Sequence, residues 1–534
     1  MHGIIVLASP FKSLVKGVAN VALLCSTLFL LACDSGSASG TDNTEIFETG
    51  SDDLIIAQPE LLWTECASDR SLECASLLVP MDYRNPRRQQ ISIAIARTRF
   101  NNNANTDSIR TVFTNPGGPG ASGIEFLSIF GEAARFPTEV QQNVQFVTFD
   151  PRGLGDSTPV SCNLDRLRAL DHYALSVSDL QNNLNFQSRY ASDCFDRHGS
   201  YLQLLGSLNV VRDMNEIRKA LFLDSIDYLG FSYGTRLGGL YLQTYPQHSG
   251  RFVLDGSVSP QPELEPMFRS GMLVADANVT RMIESCRLVA RGCNPTTVAE
   301  ELLEKMEVIG TGEETNDLFF LSVFLQVAST QPGFEETLAR ALVDYLESDD
   351  SDDLINGLAR VGRDSGVDED TPAPGINTTA YTAVLCADDP NRPTLSSLSR
   401  SAARFNGDSD LLAETYFTTI GICAGWPAAV EPLPDIATNQ APVSLVIGGP
   451  TDAQTPLAFS QDMARAVGGQ FLRSEHQGHT VAFRGANACT DSAVSNFLLN
   501  GTLPAVSVCE DDNSVIMADS WASAIPVLSP PVFQ

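Results

Sequence analysis

Lysine is nearly absent from this sequence, and histidine is scarce. Only four lysines and six histidines occur in 534 residues. Acidic residues outnumber basic ones by 65 to 34, which gives a formal net charge of -31. This charge repels nucleic acid and anionic membrane surfaces, so neither is expected as a partner. The hydrophobic fraction of 43% is that of a globular protein, and the length allows one large domain with an insertion.

The sequence also lacks the cysteine and histidine spacing of a zinc site. We therefore expect no metal, and no cofactor is predicted. Twelve cysteines are present; Cys25 and Cys33 belong to the amino-terminal segment, and the other ten form an even set, as is usual in exported proteins. Close spacing suggests three disulfides and neighbourhood suggests two more: Cys66–Cys74, Cys286–Cys293, Cys489–Cys509, Cys162–Cys194 and Cys386–Cys423.

An apolar run over residues 18–32 is too short to span a bilayer comfortably. It follows Lys12 and Lys16 and ends in LLAC at Cys33, which resembles the lipobox of bacterial lipoproteins. Residues 1–32 are therefore predicted to be a signal peptide, with lipidation at Cys33 and a flexible tether over residues 33–60. The alternative is an ordinary signal peptide followed by a chance cysteine. In both cases we expect an exported protein that touches a membrane only through the lipid anchor, if it has one.

The sequence GFSYG at residues 230–234 lies between a β-prone run and a helix-like run over residues 236–244. Strand, sharp turn and helix in this order would lift the Ser232 hydroxyl out of a sheet, where a base can reach it. Gly230 and Gly234 are needed because the backbone passes close to itself at such a turn. Ser232 is therefore the candidate nucleophile.

A glycine-rich loop, NPGGPGASG at residues 115–123, follows another predicted strand. A phosphate-binding loop needs Gly-Lys-Ser/Thr, and this loop has no lysine. Its stiff mixture of glycine and proline is suited to presenting backbone N–H groups to a developing oxyanion. After the next predicted strand, over residues 144–149, come Asp150 and Arg152, which we interpret as structural props beside the site.

Strand patterns continue to residue 256, stop, and resume at residue 442. Helical runs dominate between them, and one is predicted to open with a capping box from Thr297 to Glu300. This arrangement predicts an α/β fold, with a mostly parallel central sheet flanked by helices and a mostly helical cap inserted into it. The predicted parts are the core over residues 61–256, the cap over 257–437, the core again over 438–509 and a carboxyl-terminal tail over 510–534.

Elimination leaves two histidines as the base for Ser232. In this architecture the order along the chain is serine, acid, histidine, so histidines before the serine are excluded. His248 follows the serine by only 16 residues, which leaves no room for an acid loop. His476 and His479 both follow the last predicted strand. We favour His479, because Gly478 allows its loop to turn the imidazole over the edge of the sheet.

The acid must follow a strand between the serine and the histidine. Asp452 follows the strand pattern PVSLVI and precedes His479 by 27 residues. Asp255 ends an earlier strand and also satisfies the order, so the residues alone leave both open. Asp462 on a predicted helix and Asp435 before the strand are poorer candidates.

Together the motifs resemble the α/β-hydrolase fold and, more narrowly, the tripeptidyl aminopeptidase and prolyl aminopeptidase group of serine exopeptidases. The likeness spans about residues 62 to 509 and includes the terminal cysteine pair. Ala453 is a departure, because the family often has proline after the acid. The likeness depends on six short sequences: NPGGPG at 115–120, DPRG at 150–153, GFSYGT at 230–235, VLDG at 253–256, DAQTP at 452–456 and GH at 478–479.

The resemblance implies an exported peptidase that acts near free amino termini through an acyl-enzyme. Ser232 attacks the peptide carbonyl, and His479 transfers the proton. Asp452 orients His479, and the family match favours it over Asp255.

The resemblance also implies an oxyanion hole and a site for the substrate's amino group. The oxyanion hole is formed by the backbone N–H of Tyr233 with that of Gly118 or its neighbour Gly117. Carboxylates that project from the cap would bind the ammonium group, and Glu263 and Glu265 are the candidates.

Two other functions are compatible with the same residues. An esterase or lipase would use the same triad on esters and would have an apolar pocket under the cap. A non-catalytic binding protein could keep the fold and lose the triad, but every member is present in this chain. The expected substrate is therefore a peptide or a small ester, and the sequence makes no prediction about the oligomeric state.

Overall fold

The computed structural model describes residues 61–99, 109–133, 136–162, 177–310, 315–330, 333–364, 375–438, 442–485 and 487–510. The predicted signal peptide, Cys33, the tether and residues 511–534 of the predicted tail lie outside these ranges. Within the described ranges, no helix is both long enough and apolar enough to pass through a bilayer.

Ten strands of the described residues form one sheet. In chain order they are β1 Thr64–Glu65, β2 Leu72–Pro80, β3 Gln90–Thr98, β4 Arg110–Asn115, β5 Val144–Phe149, β6 Ile226–Phe231, β7 Ser249–Asp255, β8 Leu445–Gly448, β9 Gln470–Ser474 and β10 Val508–Cys509. Their order across the sheet is β1-β2-β3-β5-β4-β6-β7-β8-β9-β10. The pairings from β1 to β5 are antiparallel, and those from β5 through β10 are parallel. The prediction of a mostly parallel sheet is confirmed.

Helices cover both faces of the sheet because its central strands are apolar on both sides. The bounds of these helices are α1 Gly123–Ala133, α2 Thr138–Asn143, α3 Val177–His198, α4 Ser207–Ala220, α5 Gly234–Thr244, α15 Leu457–Val467 and α16 Ala488–Asn500. On one face the apolar side chains of α1, α2 and α16 share a core with the sheet, and on the other face those of α3, α4, α5 and α15 do so.

Nine further helices lie between β7 and β8 in the described residues. They are α6 Leu264–Glu284, α7 Cys286–Val289, α8 Pro295–Gly310, α9 Thr315–Thr330, α10 Glu335–Ser348, α11 Asp352–Asp364, α12 Thr378–Asp388, α13 Leu395–Asp408 and α14 Ala413–Phe417. The capping box predicted at Thr297 is wrong, because α8 already begins at Pro295. The side chain of Asn294 instead accepts the N–H of Thr296, at 3.2 Å, at the start of that helix.

All five disulfides expected from the cysteine spacing are present in the structure, and this prediction is confirmed. Cys386–Cys423 joins the end of α12 to the chain after α14, and Cys489–Cys509 joins the start of α16 to β10. These two bridges therefore tie together segments that are 37 and 20 residues apart along the chain.

The carboxyl ends of β4, β6, β7, β8 and β9 meet at one edge of the sheet, because these strands are parallel neighbours. The register places Phe231 opposite Asp255, and Asp255 opposite Ile447. The glycine-rich loop, Ser232, the Asp452 loop and the His479 loop each follow one of these ends. Parallel sheets commonly bind ligands at this edge.

Candidate active site

Ser232 lies in a tight turn between β6 and α5. Its φ is +53°, a left-handed conformation that is rare for a residue with a side chain. The flanking glycines are required by close approach, because a Cβ at Gly230 would lie 2.7 Å from the Gly234 carbonyl oxygen and one at Gly234 would lie 2.6 Å from that of Asn115. The turn is held by the Ser232 N–H, which donates to the Asp255 carbonyl at 3.0 Å. The glycines on both sides of Ser232 therefore allow the chain to present the serine side chain at a strained strand-to-helix turn.

The Asp452 carboxylate and the His479 imidazole are hydrogen-bonded. The Nδ1 atom of His479 lies 2.8 Å from Oδ2 and 3.0 Å from Oδ1 of Asp452. Both side chains are buried, with 1% of Asp452 and 7% of His479 exposed. This contact fixes the direction of the ring and leaves Nε2 as the nitrogen that can take a proton from a hydroxyl.

Asp452 is held in its ionised form by its neighbours. Burial raises the pKa of this carboxyl, but the His479 imidazole and hydrogen bonds from Thr455 more than offset burial and leave the pKa below its ordinary value. The Thr455 N–H donates to Oδ1 at 2.8 Å, and the Thr455 hydroxyl donates to Oδ2 at 2.6 Å. An anionic carboxylate of this kind stabilises an imidazolium beside it.

Thr455 was not singled out from the sequence as a site residue. Its hydroxyl also lies 3.2 Å from Nδ1 of His479, so it contacts both members of the pair. The sequence feature that could have identified Thr455 is its position three residues after Asp452. At this spacing an aspartate side chain commonly accepts the main-chain N–H.

The Ser232 hydroxyl and Nε2 of His479 are both buried, and neither has a hydrogen-bond partner among the described residues. The structure therefore does not join them by a hydrogen bond. Catalytic hydrogen bonds are often long in free enzymes and shorten when substrate binds. The two unpartnered atoms are a donor and an acceptor, the pair that the proposed proton transfer requires.

Asp255, the second candidate for the acid, makes different contacts. Its Oδ2 accepts the N–H groups of Val481 and Ala482, each at 2.8 Å. Burial raises the pKa of Asp255 to about 6, against the lowering effect of those two hydrogen bonds. The structure therefore places Asp255 against the main chain of the His479 loop, whereas Asp452 contacts the ring.

His476, the second candidate for the base, is buried against Gly449. A Cβ at Gly449 would lie 2.7 Å from Cε1 of His476. Burial lowers the pKa of His476 to about 4, so the ring is neutral at ordinary pH. Its ring makes no hydrogen bond to Asp452 within the described structure, in contrast to that of His479.

The glycine-rich loop packs against the serine turn. A Cβ at Gly117 would lie 2.8 Å from the Tyr233 nitrogen and 2.9 Å from the Ser232 Cβ. The Gly117 N–H donates to Oδ1 of Asn115 at 3.0 Å. Of the two neighbouring glycines, Gly118 is therefore the one whose N–H is not used by Asn115. Gly118 and Tyr233 are the backbone donors predicted for the oxyanion.

Asp150 and Arg152 hold loops near this edge of the sheet. Asp150 accepts the Ser122 hydroxyl at 2.6 Å, just before α1. The fully buried guanidinium of Arg152 binds both carboxylate oxygens of Asp213, at 2.7 and 2.6 Å. These contacts are consistent with the structural role predicted for the two residues.

The carboxylates suggested for amine binding differ in their contacts. Glu265 forms an ion pair with Arg404 and accepts the Ser401 hydroxyl at 2.8 Å. Its charge is therefore already balanced. Glu263 directly precedes α6 and is half-buried, and its side chain does not cap that helix.

A serine at a strained turn after a parallel strand, with a buried aspartate–histidine pair on the loops after two strands of the same sheet, defines a serine hydrolase of α/β architecture. In the described residues, no cluster of three or more histidine, cysteine, aspartate or glutamate side chains could hold a metal ion.

Comparison with known proteins gives the same class. Residues 111–292 match the family model of the alpha/beta hydrolase fold, and residues 409–513 match that of the TAP-like proteins. The chain therefore has the α/β-hydrolase fold, and its carboxyl-terminal part is similar to the TAP-like proteins.

Several curated relatives span most of the chain. Serine protease Hip1 of Mycobacterium tuberculosis is 29% identical over 494 residues, which cover 84% of this chain and 91% of the relative. Tripeptidyl aminopeptidase of Streptomyces lividans is 28% identical over 480 residues, which cover 84% of this chain and 86% of the relative. Carboxylesterase B of M. tuberculosis is 28% identical over 491 residues, which cover 85% of this chain and 90% of the relative.

Among solved structures, proline iminopeptidase of Mycobacterium smegmatis aligns over 79% of this chain and 97% of its own, with 15% identity and a TM-score of 0.33.

Proposed function

We propose that this chain is a serine aminopeptidase that cleaves peptide bonds near free amino termini, with Ser232 as nucleophile, His479 as base and Asp452 as the orienting carboxylate. The observation that supports this most strongly is the buried hydrogen bond between Asp452 and Nδ1 of His479, at 2.8 Å. It lies at the sheet edge where β6 presents Ser232, and the loops after β8 and β9 supply the acid and the base.

The residues divide the reaction into two steps. The Ser232 hydroxyl gives its proton to Nε2 of His479 and forms a bond to the peptide carbonyl carbon. The imidazolium then protonates the leaving amine, which departs and leaves an ester on Ser232. A water molecule then gives a proton to His479 and attacks the ester carbonyl. The bond from the carbonyl carbon to the Ser232 oxygen breaks, His479 returns the proton to that oxygen, and the acid is released. Asp452 stays ionised and stabilises the imidazolium in both steps.

The backbone N–H groups of Tyr233 and Gly118 are proposed to bind the carbonyl oxygen as it becomes negative. Removal of one such donor typically raises the barrier by about 3 kcal/mol. The close packing of Gly117 on the serine turn supports this proposal, because it brings the two chain segments together.

The preference for a free amino terminus is supported by the relative named tripeptidyl aminopeptidase. A free ammonium group requires a carboxylate in the substrate site. Since Glu265 is paired with Arg404, Glu263 is the better of the two candidates proposed for this contact.

An esterase is the second candidate function, because the relative named carboxylesterase B is as similar as the aminopeptidase. The same three residues would form the acyl-enzyme from an ester, whose better leaving group needs less protonation.

Three substrates distinguish the two functions: a chromogenic tripeptide amide with a free amino group, its N-acetylated twin and a short acyl p-nitrophenyl ester. Cleavage of the unblocked peptide with little cleavage of the twin supports the aminopeptidase. Turnover of the ester alone supports the esterase. Inactivity toward all three, with no labelling of Ser232 by a fluorophosphonate, would overturn both and favour a binding protein. Ser232→Ala is the matched control, and its residual rate gives the background.

Export and lipidation at Cys33 are proposed on the amino-terminal sequence. The five disulfides support an oxidising compartment. Expression with an alkyne fatty acid should label the wild type and leave Cys33→Ser unlabelled. Secretion of an unlabelled, cleaved wild type would show that the signal peptide is of the ordinary kind.

A further inference from the structure

We propose that Asp255 is a positioning residue, which holds the His479 loop against the Ser232 turn so that the imidazole and the hydroxyl meet when substrate binds. The proposal rests on the proposed function and gives a role to a residue that the triad does not use.

Asp255 bonds both halves of the site at once. It is the last residue of β7, and its main-chain carbonyl accepts the Ser232 N–H at 3.0 Å. Its side-chain Oδ2 accepts the N–H groups of Val481 and Ala482, at 2.8 Å each. One residue on a rigid central strand therefore contacts the nucleophile turn through its backbone and the base loop through its side chain.

Among the described residues, the other hydrogen bonds of the base loop lead to the chain after β8, to Asp491 in α16 or back to the loop itself. The His479 ring contacts Asp452, and the Gly478 N–H donates to the Thr451 hydroxyl at 3.0 Å, so both connect the loop to the chain after β8. The Arg484 guanidinium donates to the His479 carbonyl, which is within the same loop. Of these contacts, those of Asp255 tie the loop to β7 and thereby to Ser232.

The conformation of the loop makes such an anchor necessary. Thr480 and Phe483 have φ values of +59° and +61°, which cost free energy for residues with side chains. Val481 and Ala482 lie between them, and their N–H groups both point at one carboxylate oxygen. Two hydrogen bonds to a charged acceptor are strong enough to hold such a conformation.

The carboxylate itself is fully buried, and its Oδ1 has no hydrogen-bond partner among the described residues. A buried carboxylate with one unpartnered oxygen is costly. The two hydrogen bonds to the base loop offset part of this cost and give the carboxylate a role at the end of the central strand.

The test compares Asp255→Ala and Asp255→Asn with Asp227→Ala. Asparagine keeps one oxygen that can accept both N–H groups, and alanine keeps none. Asp227 is a matched control on the adjacent strand β6, because it is also buried and accepts a main-chain N–H, that of Arg251 at 2.7 Å. It lies at the amino end of β6, whereas Ser232 follows the carboxyl end of that strand.

We expect Asp255→Ala to lower kcat by about 10²-fold with little change in KM, because a displacement of about 1 Å in a catalytic group has an effect of this size. Asp255→Asn should recover most of that loss. Hydrogen exchange of the peptide covering residues 479–485 should be faster in Asp255→Ala and near normal in Asp255→Asn. Asp227→Ala should lower the melting temperature and leave kcat and this exchange unchanged.

The proposal is overturned if the amide hydrogens of residues 479–485 exchange at the wild-type rate in Asp255→Ala, or if the kcat of this variant equals that of the wild type. It is also overturned if asparagine restores neither. Hydrogen exchange measures how firmly Asp255 holds the loop, and it requires no substrate. If the wild type is inactive but hydrogen exchange of residues 479–485 is still faster in Asp255→Ala, the proposed function is contradicted. The anchoring of the loop by Asp255 is then still supported.

Discussion

At the scale of single residues, Gly117 determines how closely the glycine-rich loop approaches the serine turn. Its φ is +101°, and a Cβ there would lie 2.6 Å from the Phe231 carbonyl oxygen and 2.8 Å from the Tyr233 nitrogen. Both distances are shorter than real contacts permit. A side chain at this position must therefore push the loop, and with it the Gly118 N–H, away from the serine turn and the Tyr233 N–H.

Gly117→Ala should lower kcat by about 10²-fold or more, since a misplaced oxyanion donor has an effect of this size. Gly375→Ala is the control, because a Cβ there has nothing within 4 Å. Steady-state kinetics on the preferred substrate of the three-substrate test measure both. Equal kcat values for the two variants would show that the loop takes no part in the reaction.

Asp255 also predicts a pH dependence of stability. Its ordinary pKa of 3.8 is raised to about 6 in the folded protein, so the folded state binds its proton more tightly than the unfolded state does. The stability that this carboxyl contributes is present below pH 4 and is lost as pH rises through about 6, a change of about 3 kcal/mol.

Asp255→Asn removes this titration. The difference in free energy of unfolding between this variant and the wild type should therefore change between pH 4 and pH 6.5, with the wild type losing more stability as pH rises. The lowered pKa of Asp452 has the opposite sign at lower pH, but it is present in both proteins and cancels. Denaturant unfolding across the pH series measures the difference, and a difference independent of pH would contradict the assignment.

At the scale of elements, helix α6 packs directly on the loop that carries Asp452. A Cβ at Gly271 would lie 2.7 Å from the Ala453 carbonyl oxygen. The Asn278 side chain donates to the Thr451 carbonyl at 2.9 Å. Two points on one helix therefore fix the chain on both sides of Asp452.

Gly271→Ala should shift the acid loop and lower kcat by about 10-fold or more. Gly407→Ala in α13 is the control, because its Cβ would have nothing within 4 Å and alanine favours a helix. Kinetics and melting temperature are measured for both. If Gly271→Ala has wild-type kcat, the contact between α6 and the acid loop has no role in orienting Asp452.

The sequence predicted elements best where an apolar run has clear ends. The strand over residues 144–149 has the predicted bounds. The predicted start of α8 was wrong, because Asn294 caps the helix three residues before the predicted capping box at Thr297. Local patterns could not distinguish these two capping sites.

Within the site, the order of motifs along the chain left Asp255 and Asp452 both open as the acid, and the family resemblance favoured Asp452. The contact between Asp452 and His479 is present in the structure. The contact of Asp255 with the base loop was not predicted. It depends on positive φ values at Thr480 and Phe483, which those residue types do not indicate. The pairing of Glu265 with Arg404 joins residues that are 139 positions apart, and it was also beyond local reasoning.

At the scale of the whole molecule, the formal net charge of -31 acts on the folded state. Repulsion among so many carboxylates favours expansion of the chain, and salt screens it. The melting temperature should therefore rise as sodium chloride increases from 0.05 to about 0.5 M, over which range the screening length falls well below 10 Å. A melting temperature that falls or stays constant over this range would show that the charges are locally balanced.

The central claim is that Ser232, His479 and Asp452 form one catalytic unit. The most direct measurement is the rate at which a fluorophosphonate labels the folded protein, with the site identified by peptide mass spectrometry. The account predicts a single label on Ser232 in the wild type, almost no labelling in His479→Ala and much slower labelling in Asp452→Asn. Labelling of another residue, or of Ser232 at equal rates in all three proteins, would contradict it.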